Sequence, residues 1–181
     1  MNILIATPLY PPETADSAVY VKRLADLLNS EGNSITIVTY SSVPEKIKGV
    51  NILITNKYRP LFFRILAYIR LLWKVVSSTD IIYAENGASV EFPIWIISLF
   101  VKKTIIFHIG DKTAYRNAQK NILLKNIQKL AFNRAAKIIR DIPLKKPEVL
   151  PFKEVSLSEK EAYATSWSKH IQLLIENFKN A

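Results

Sequence analysis

The sequence predicts an α/β fold, with a mostly parallel sheet of about six strands, helices on both of its faces and a C-terminal helix packing back on it. Three observations predict it. Apolar runs of strand length alternate with longer stretches in which apolar residues recur at three and four. The first forty residues already spell a strand, a loop, a helix and a second strand. Three of the runs end in polar or glycine-containing loops, at Thr7, Glu85 and His108, which a parallel sheet gathers along one edge.

The first strand is Ile3-Leu4-Ile5-Ala6, and the loop after it runs from Thr7 to Asp16. A helix is predicted over residues 17–30, with Ala18, Tyr20, Val21, Leu24, Ala25, Leu27 and Leu28 recurring at three and four, Lys22, Arg23 and Asp26 on the other side, and Asp16 or Ser17 as its cap. Gly32-Asn33 turns the chain into a strand at 35–38, and a short strand at 50–54 follows Gly49. Residues 59–78 read as a helix with Pro60 in its first turn. A fourth strand, 80–84, ends in Glu85-Asn86-Gly87. The apolar helix 89–101 has Pro93 in its first turn and closes on Lys102-Lys103, favourably for its dipole. A fifth strand, 104–107, leads into the loop His108-Ile109-Gly110-Asp111. A helix at 122–136 and a short strand at 137–140 complete the domain, residues 1–140. Residues 141–156, punctuated by Pro143, Pro147 and Pro151, read as an extended connection. The last helix runs from about 158 to 179 within the segment 157–181, with Trp167, Ile171, Leu174, Ile175 and Phe178 at helical spacing.

The net charge of +10 on 181 residues implies a partner of negative charge: nucleic acid, an anionic membrane surface or a phosphorylated substrate. A merely solvated basic surface is the plainer alternative. The chain contains no cysteine, which excludes disulfide frameworks and fits a reducing compartment. With a strand directly after Met1, no secretory leader is expected, and the expected location is cytoplasmic.

Much of the basic charge is concentrated. Between Glu45 and Asp80 stand seven Lys or Arg and no acid. On the helix at 59–78, Arg64, Arg70 and Lys74 share roughly a third of the circumference, and most of the remainder is Leu, Ile, Phe, Tyr and Trp. One reading is an interfacial helix on anionic lipid, with Arg59, Arg64, Arg70 and Lys74 at the headgroups. The other is a crossover helix with its apolar face on the sheet. No apolar run approaches the ~20 residues of a membrane span.

Several chemistries are excluded by what is missing. The only histidines, His108 and His170, stand far apart, so no closely spaced zinc motif exists and no metal is expected. There is no Gly-Lys-Ser or Gly-Lys-Thr, no G-x-G-x-x-G and no G-x-S-x-G. No DNA- or RNA-binding motif accompanies the charge, and nucleic acid is not an expected partner.

The stretch from Asn2 to Glu13, the helix with Tyr20, Leu24 and Leu28, and the return through Gly32-Asn33 into Ser34-Ile35-Thr36-Ile37-Val38-Thr39 resemble the amino-terminal domain of family 4 glycosyltransferases of the GT-B fold. Asp80 to Asn86 resembles that family's fourth strand and loop. Lys103 to Asp111 with Ala114-Tyr115-Arg116 resembles the strand and glycine-aspartate loop of its polysaccharide-assembly branch. Arg134 to Ile139 resembles the strand that leads to the interdomain region, and Tyr163 to Ile171 the final helix that crosses back onto the first domain.

This resemblance implies a single Rossmann-like domain, with the donor-binding domain missing between residues 140 and 157. It implies a retaining, metal-independent transfer of a hexose from a nucleotide sugar, in polysaccharide or glycolipid assembly. The chain would hold the acceptor half and need a separate donor-binding chain or a homo-oligomer; no cofactor is implied beyond the nucleotide sugar as donor substrate. His108 matches a position near the reacting sugar. Tyr10, Glu13, Ala15, Asp16, Glu85, Asn86, Gly110, Asp111, Tyr115 and Arg116 match the acceptor side. Each also has a plainer reading: Tyr10 and Tyr115 as packing, Glu85 and Asn86 as caps near Ser89, Asp111 as a helix cap, Gly110 as a backbone turn. One departure is sharp. Where the family has a Gly-Gly pair, this chain has Ala15-Asp16, whose Cβ and carboxylate would crowd and repel a diphosphate. The alternative is therefore a non-catalytic binding or scaffold module of the same fold, peripheral at the inner face of a membrane in either case.

Overall fold

The computed structural model describes residues 1–140 and 157–180 and, in the last helix, the side chains from Trp167 onward. The chain forms two units, Met1–Arg140 and Asp141–Ala181, each described by itself. The first unit holds six strands: β1 Asn2–Ala6, β2 Ser34–Tyr40, β3 Asn51–Thr55, β4 Ile81–Glu85, β5 Thr104–Ile109 and β6 Lys137–Arg140. Every neighbouring pair is parallel, in the order β3-β2-β1-β4-β5-β6. The "mostly parallel" sheet is entirely so. The chain winds outward from β1 to β3, then returns to the other side of β1 as β4. That reversal opens a crevice at the carboxyl ends of β1 and β4.

Five helices connect the strands: α1 Asp16–Ser30, α2 Leu61–Val76, α3 Ala88–Ser98, α4 Lys112–Lys120 and α5 Ile122–Phe132. Strand side chains alternate between faces, so each strand feeds two cores. On one face Leu4, Ala6, Val38, Ile82, Ala84, Ile105 and Phe107 meet Tyr68, Leu72 and Val76 of α2, Val90, Ile94 and Ile97 of α3, and Ala131 of α5. Burying each Val, Leu, Ile or Phe among them stabilises by about 1.5–3 kcal/mol before entropy is counted. On the opposite face α1 lies over the sheet, and the Tyr20 hydroxyl meets that of Tyr83 at 3.1 Å. Burial, the largest influence, raises the pKa of both phenols, and both stay neutral.

Three differences from the expected elements have physical causes. The cap position of α1 is Ala15, not Asp16 or Ser17, and no side chain caps it. Pro60 occupies the cap position of α2 rather than its first turn. Pro93 lies beyond the first turn, inside α3. It has no N–H for the Ser89 carbonyl four residues back, and the Tyr40 hydroxyl donates to that oxygen instead, at 2.7 Å. Tyr40 stacks on Tyr68, with ring centroids 4.4 Å apart. Tyr68 in turn donates to the Val38 carbonyl at 2.8 Å, which ties α2 to the end of β2.

The expected helix at 122–136 is α5, which stops at Phe132, and a further helix that the sequence did not predict, α4, precedes it. Asn121 ends α4 and caps α5, its Oδ1 accepting from Leu123 N and Leu124 N at 3.0 and 3.2 Å. In the second unit α6 spans Leu157–Lys179. The expected connection at 141–156 lies outside the described residues. Among the described residues, no helix is long and apolar enough to cross a membrane.

Candidate functional site

The carboxyl ends of β1, β4 and β5 lie side by side, as the three loop positions predicted. The register sets Ala6 beside Ala84 and Glu85 beside His108. His108 is therefore not in a loop but inside β5, one residue before the strand ends.

Glu85 and His108 are both buried. Glu85 Oε1 lies 2.7 Å from His108 Nδ1, a charge-assisted bond when the ring is protonated. The other oxygen, Glu85 Oε2, is buried with no partner. Such an atom costs free energy wherever nothing donates to it. Around the pair are aromatic rings: Tyr20 centred 5.0 Å and Tyr83 5.9 Å from the imidazole. These rings fix the imidazole on one side and exclude water there.

Gly110 explains why the pair has room. It is not in a left-handed conformation, so the backbone itself does not require glycine there. A Cβ built there would stand 2.7 Å from Glu85 Oε2, with His108 Cε1 at 3.1 Å and Nδ1 at 3.2 Å. Real Cβ atoms do not come that close, so a side chain at position 110 would displace the Glu85 carboxylate or the His108 ring.

Asn86 and Asp111 clamp the loop that carries Gly110. Asn86 Nδ2 donates to the Asp111 carbonyl at 2.8 Å, and Asp111 N donates to Asn86 Oδ1 at 2.9 Å. Asn86 N also donates to the His108 carbonyl at 3.0 Å, extending the ladder past the last residue of β4. The Asp111 carboxylate is used locally, since Oδ1 accepts from Thr113 N at 2.9 Å and Ala114 N at 2.8 Å as the cap of α4. Neither Glu85 nor Asn86 caps α3. Gly87 holds that position at φ 141°, and Glu91 reaches back to its N–H at 3.2 Å.

The other expected residues divide. Tyr10 is fully buried with its hydroxyl unpartnered, and burial above all pushes that hydroxyl up to about 12. It is packing, not a platform for a sugar. Glu13 pairs with Lys57. Ala15 and Asp16 lie at the start of α1, with Asp16 exposed. Tyr115 is half-buried and Arg116 exposed on α4. Of the four expected surface cations, Arg59, Arg70 and Lys74 are exposed. Arg64 turns inward: its Nη1 donates to the Lys57 carbonyl at 2.9 Å and its guanidinium lies 5.5 Å from the Tyr40 ring. Its Nε is buried without a partner. Sequence reasoning also missed Gly110's true role, which depends on a side chain from another strand.

No protein-family model matches the chain, and no curated protein matches it in sequence. Solved structures match in fold. The sucrose-phosphate synthase of Thermosynechococcus elongatus superposes with a TM-score of 0.59 at 14% identity, over 92% of this chain and 45% of that one. A UDP-N-acetylglucosamine 2-epimerase from Listeria monocytogenes gives 0.51 at 13%, over 81% and 40%. An alpha-glucosyltransferase solved with UDP and DNA gives 0.51 at 14%, over 77% and 37%. The chain spans less than half the length of each. At these identities the likeness is one of fold alone: the chain shares the Rossmann-like α/β architecture of these structures.

Proposed function

We propose that this protein is the acceptor-binding half of a retaining, nucleotide-sugar-dependent hexosyltransferase of family 4 type. It serves polysaccharide or glycolipid assembly and works with a separate donor-binding chain. The observation that carries this reading is the Glu85–His108 pair at the β4 and β5 ends, with Glu85 Oε2 lacking a donor beside the bare backbone of Gly110. A sugar hydroxyl is a donor of the right size for that oxygen. His108, held through Nδ1, is the candidate for contact with the reacting sugar. Asn86 and Asp111 fix the loop. The acceptor is lipid-linked, and the protein sits peripherally at the inner face of the membrane.

The test is a pair of assays on the purified chain. Incubated with nucleotide sugars, it is expected to release no nucleoside diphosphate by itself. Unaided transfer or hydrolysis would overturn the half-site reading. In amide NMR spectra, titration with a glycosylated lipid-phosphate analogue is expected to move the resonances of Gly110 and His108. Movement with UDP alone and none with the saccharide would reverse the assignment. A non-catalytic binding module is the second reading, favoured by one observation: exposed Asp16 opens α1, where a diphosphate would approach.

A further inference from the structure

The outer face of α2 is built against the usual sorting of residues. Phe62, Phe63, Leu66 and Trp73 are between 47% and 67% exposed. At 3.6 residues per turn, Phe62, Leu66 and Trp73 form one stripe, with Arg70 and Lys74 on an adjoining stripe roughly 80° around. Phe100, just past α3 and 70% exposed, meets the Trp73 ring edge-on at 5.8 Å and widens the apolar stripe. On the cationic side an open cleft of about 320 Å³ lies between α2 and the end of β3. Arg59, Arg70 and Lys74 line it together with Asn56, and no acidic residue does.

Two features select the occupant. A contiguous exposed apolar surface of this kind marks an interaction site. An apolar-aromatic stripe bordered by cations, on a helix with no acid, matches the layering of a bilayer surface, where acyl chains lie beneath phosphates. We propose that this face docks on an anionic phospholipid bilayer. Phe62, Leu66, Trp73 and Phe100 enter the boundary between acyl chains and headgroups, and Arg59, Arg70 and Lys74 seat a lipid phosphate. The proposal names the surface for the membrane part of the reading above, and it stands whether or not the β4–β5 cluster takes a sugar.

The test is flotation of the full chain with vesicles of phosphatidylcholine alone or mixed with phosphatidylglycerol. Wild type is expected to float with the mixed vesicles and far less with the neutral ones. Near an anionic surface each cation contributes roughly a fivefold factor, so R70Q/K74Q is expected to weaken binding about 25-fold. F62S/W73S is expected to weaken it as well, with an unchanged thermal midpoint because both positions are exposed. As a check on that variant, F62C carries a polarity-sensitive dye on a chain with no other cysteine. Its emission is expected to shift blue on mixed vesicles, while a D26C label on α1 does not respond. Equal binding by wild type and R70Q/K74Q overturns the proposal, as does an unresponsive F62C label. So does inorganic phosphate binding in the cleft without vesicle binding. A dimer in light scattering that F62S/W73S dissociates, without vesicle binding, assigns the face to a second copy and overturns it too. None of these assays contains a sugar, so their failure is distinct from failure of the acceptor reading.

Discussion

The β4–β5 ends and the outer face of α2 break the sorting of polar from apolar groups in opposite directions. At the first, a carboxylate and an imidazole are buried among tyrosine rings. At the second, phenylalanines and a tryptophan face solvent. Both arrangements cost stability, the first through a buried unpartnered oxygen and the second through apolar area left in water. Folding alone selects for neither, so each is a place to look for a ligand. The difference between them lies in the ligand's shape. A buried oxygen beside a missing Cβ suits one small donor, whereas a stripe along a 16-residue helix suits an extended surface.

The largest effect should come from adjacent residues of α2. Leu72 is fully buried and Trp73 is half exposed. Leu72→Ala is expected to cost about 2–5 kcal/mol in urea unfolding. Trp73→Ser should lie within about 0.5 kcal/mol of wild type in the same assay, as exposed positions do. A comparable loss at both would mean that the outer face is structural, and the contrast drawn here would collapse.

Next comes Gly110→Ala. Its Cβ forces Glu85 and His108 apart, at about 1–3 kcal/mol. The His108 side-chain nitrogens should shift in NMR spectra, whereas Gly32→Ala, with nothing within 4 Å of its Cβ, leaves them in place. Undisturbed His108 resonances in Gly110→Ala would remove the steric account of that glycine.

A smaller effect is expected from Tyr40→Phe, about 1 kcal/mol for the lost bond to the Ser89 carbonyl. In a Pro93→Ala background the restored amide can bond that carbonyl, so the same change should cost less. Additive costs in the double-mutant cycle would break this link.

The smallest effect is a dependence on pH. Glu91 is a buried carboxyl outside the candidate site. Burial, the main cause, raises its pKa above the ordinary glutamate range, and hydrogen bonds from Gln128 and Gly87 pull it partly back. Because the folded value is raised, the folded chain holds this proton more tightly than the unfolded chain does. Stability from the group is full below the ordinary glutamate value and falls as pH rises through the raised one. Glu91→Gln should therefore be more stable than wild type near neutral pH, with the gap closing at about pH 4. Urea midpoints at the two pH values check it. A gap that is the same at both would place the cost in packing rather than charge.

Sequence pattern carried the fold a long way because the strands are the apolar runs. The expected strand at 137–140 matches β6, and all six strands lie where alternation put them. The helix α4 was not legible. Of its nine residues only Ala118 is buried, so it carries no apolar stripe, and the Asp111 cap was its one local sign. The site was legible in position but not in detail. Glu85 and His108 were both candidates, yet their pairing follows from the β4–β5 register, which no local pattern encodes. Tyr10 and Arg64 were misjudged for the same reason: which way a loop aromatic or a helix arginine turns depends on neighbours far along the chain.

The space beside Glu85 Oε2 also constrains how the chain can vary. Every amino acid other than glycine carries a Cβ, so every substitution at position 110 meets the Glu85 carboxylate. A conservative change and a radical one begin with the same collision. Any such change acts first on Glu85 and His108, which ties the three residues into one steric unit spread over two strands and a loop.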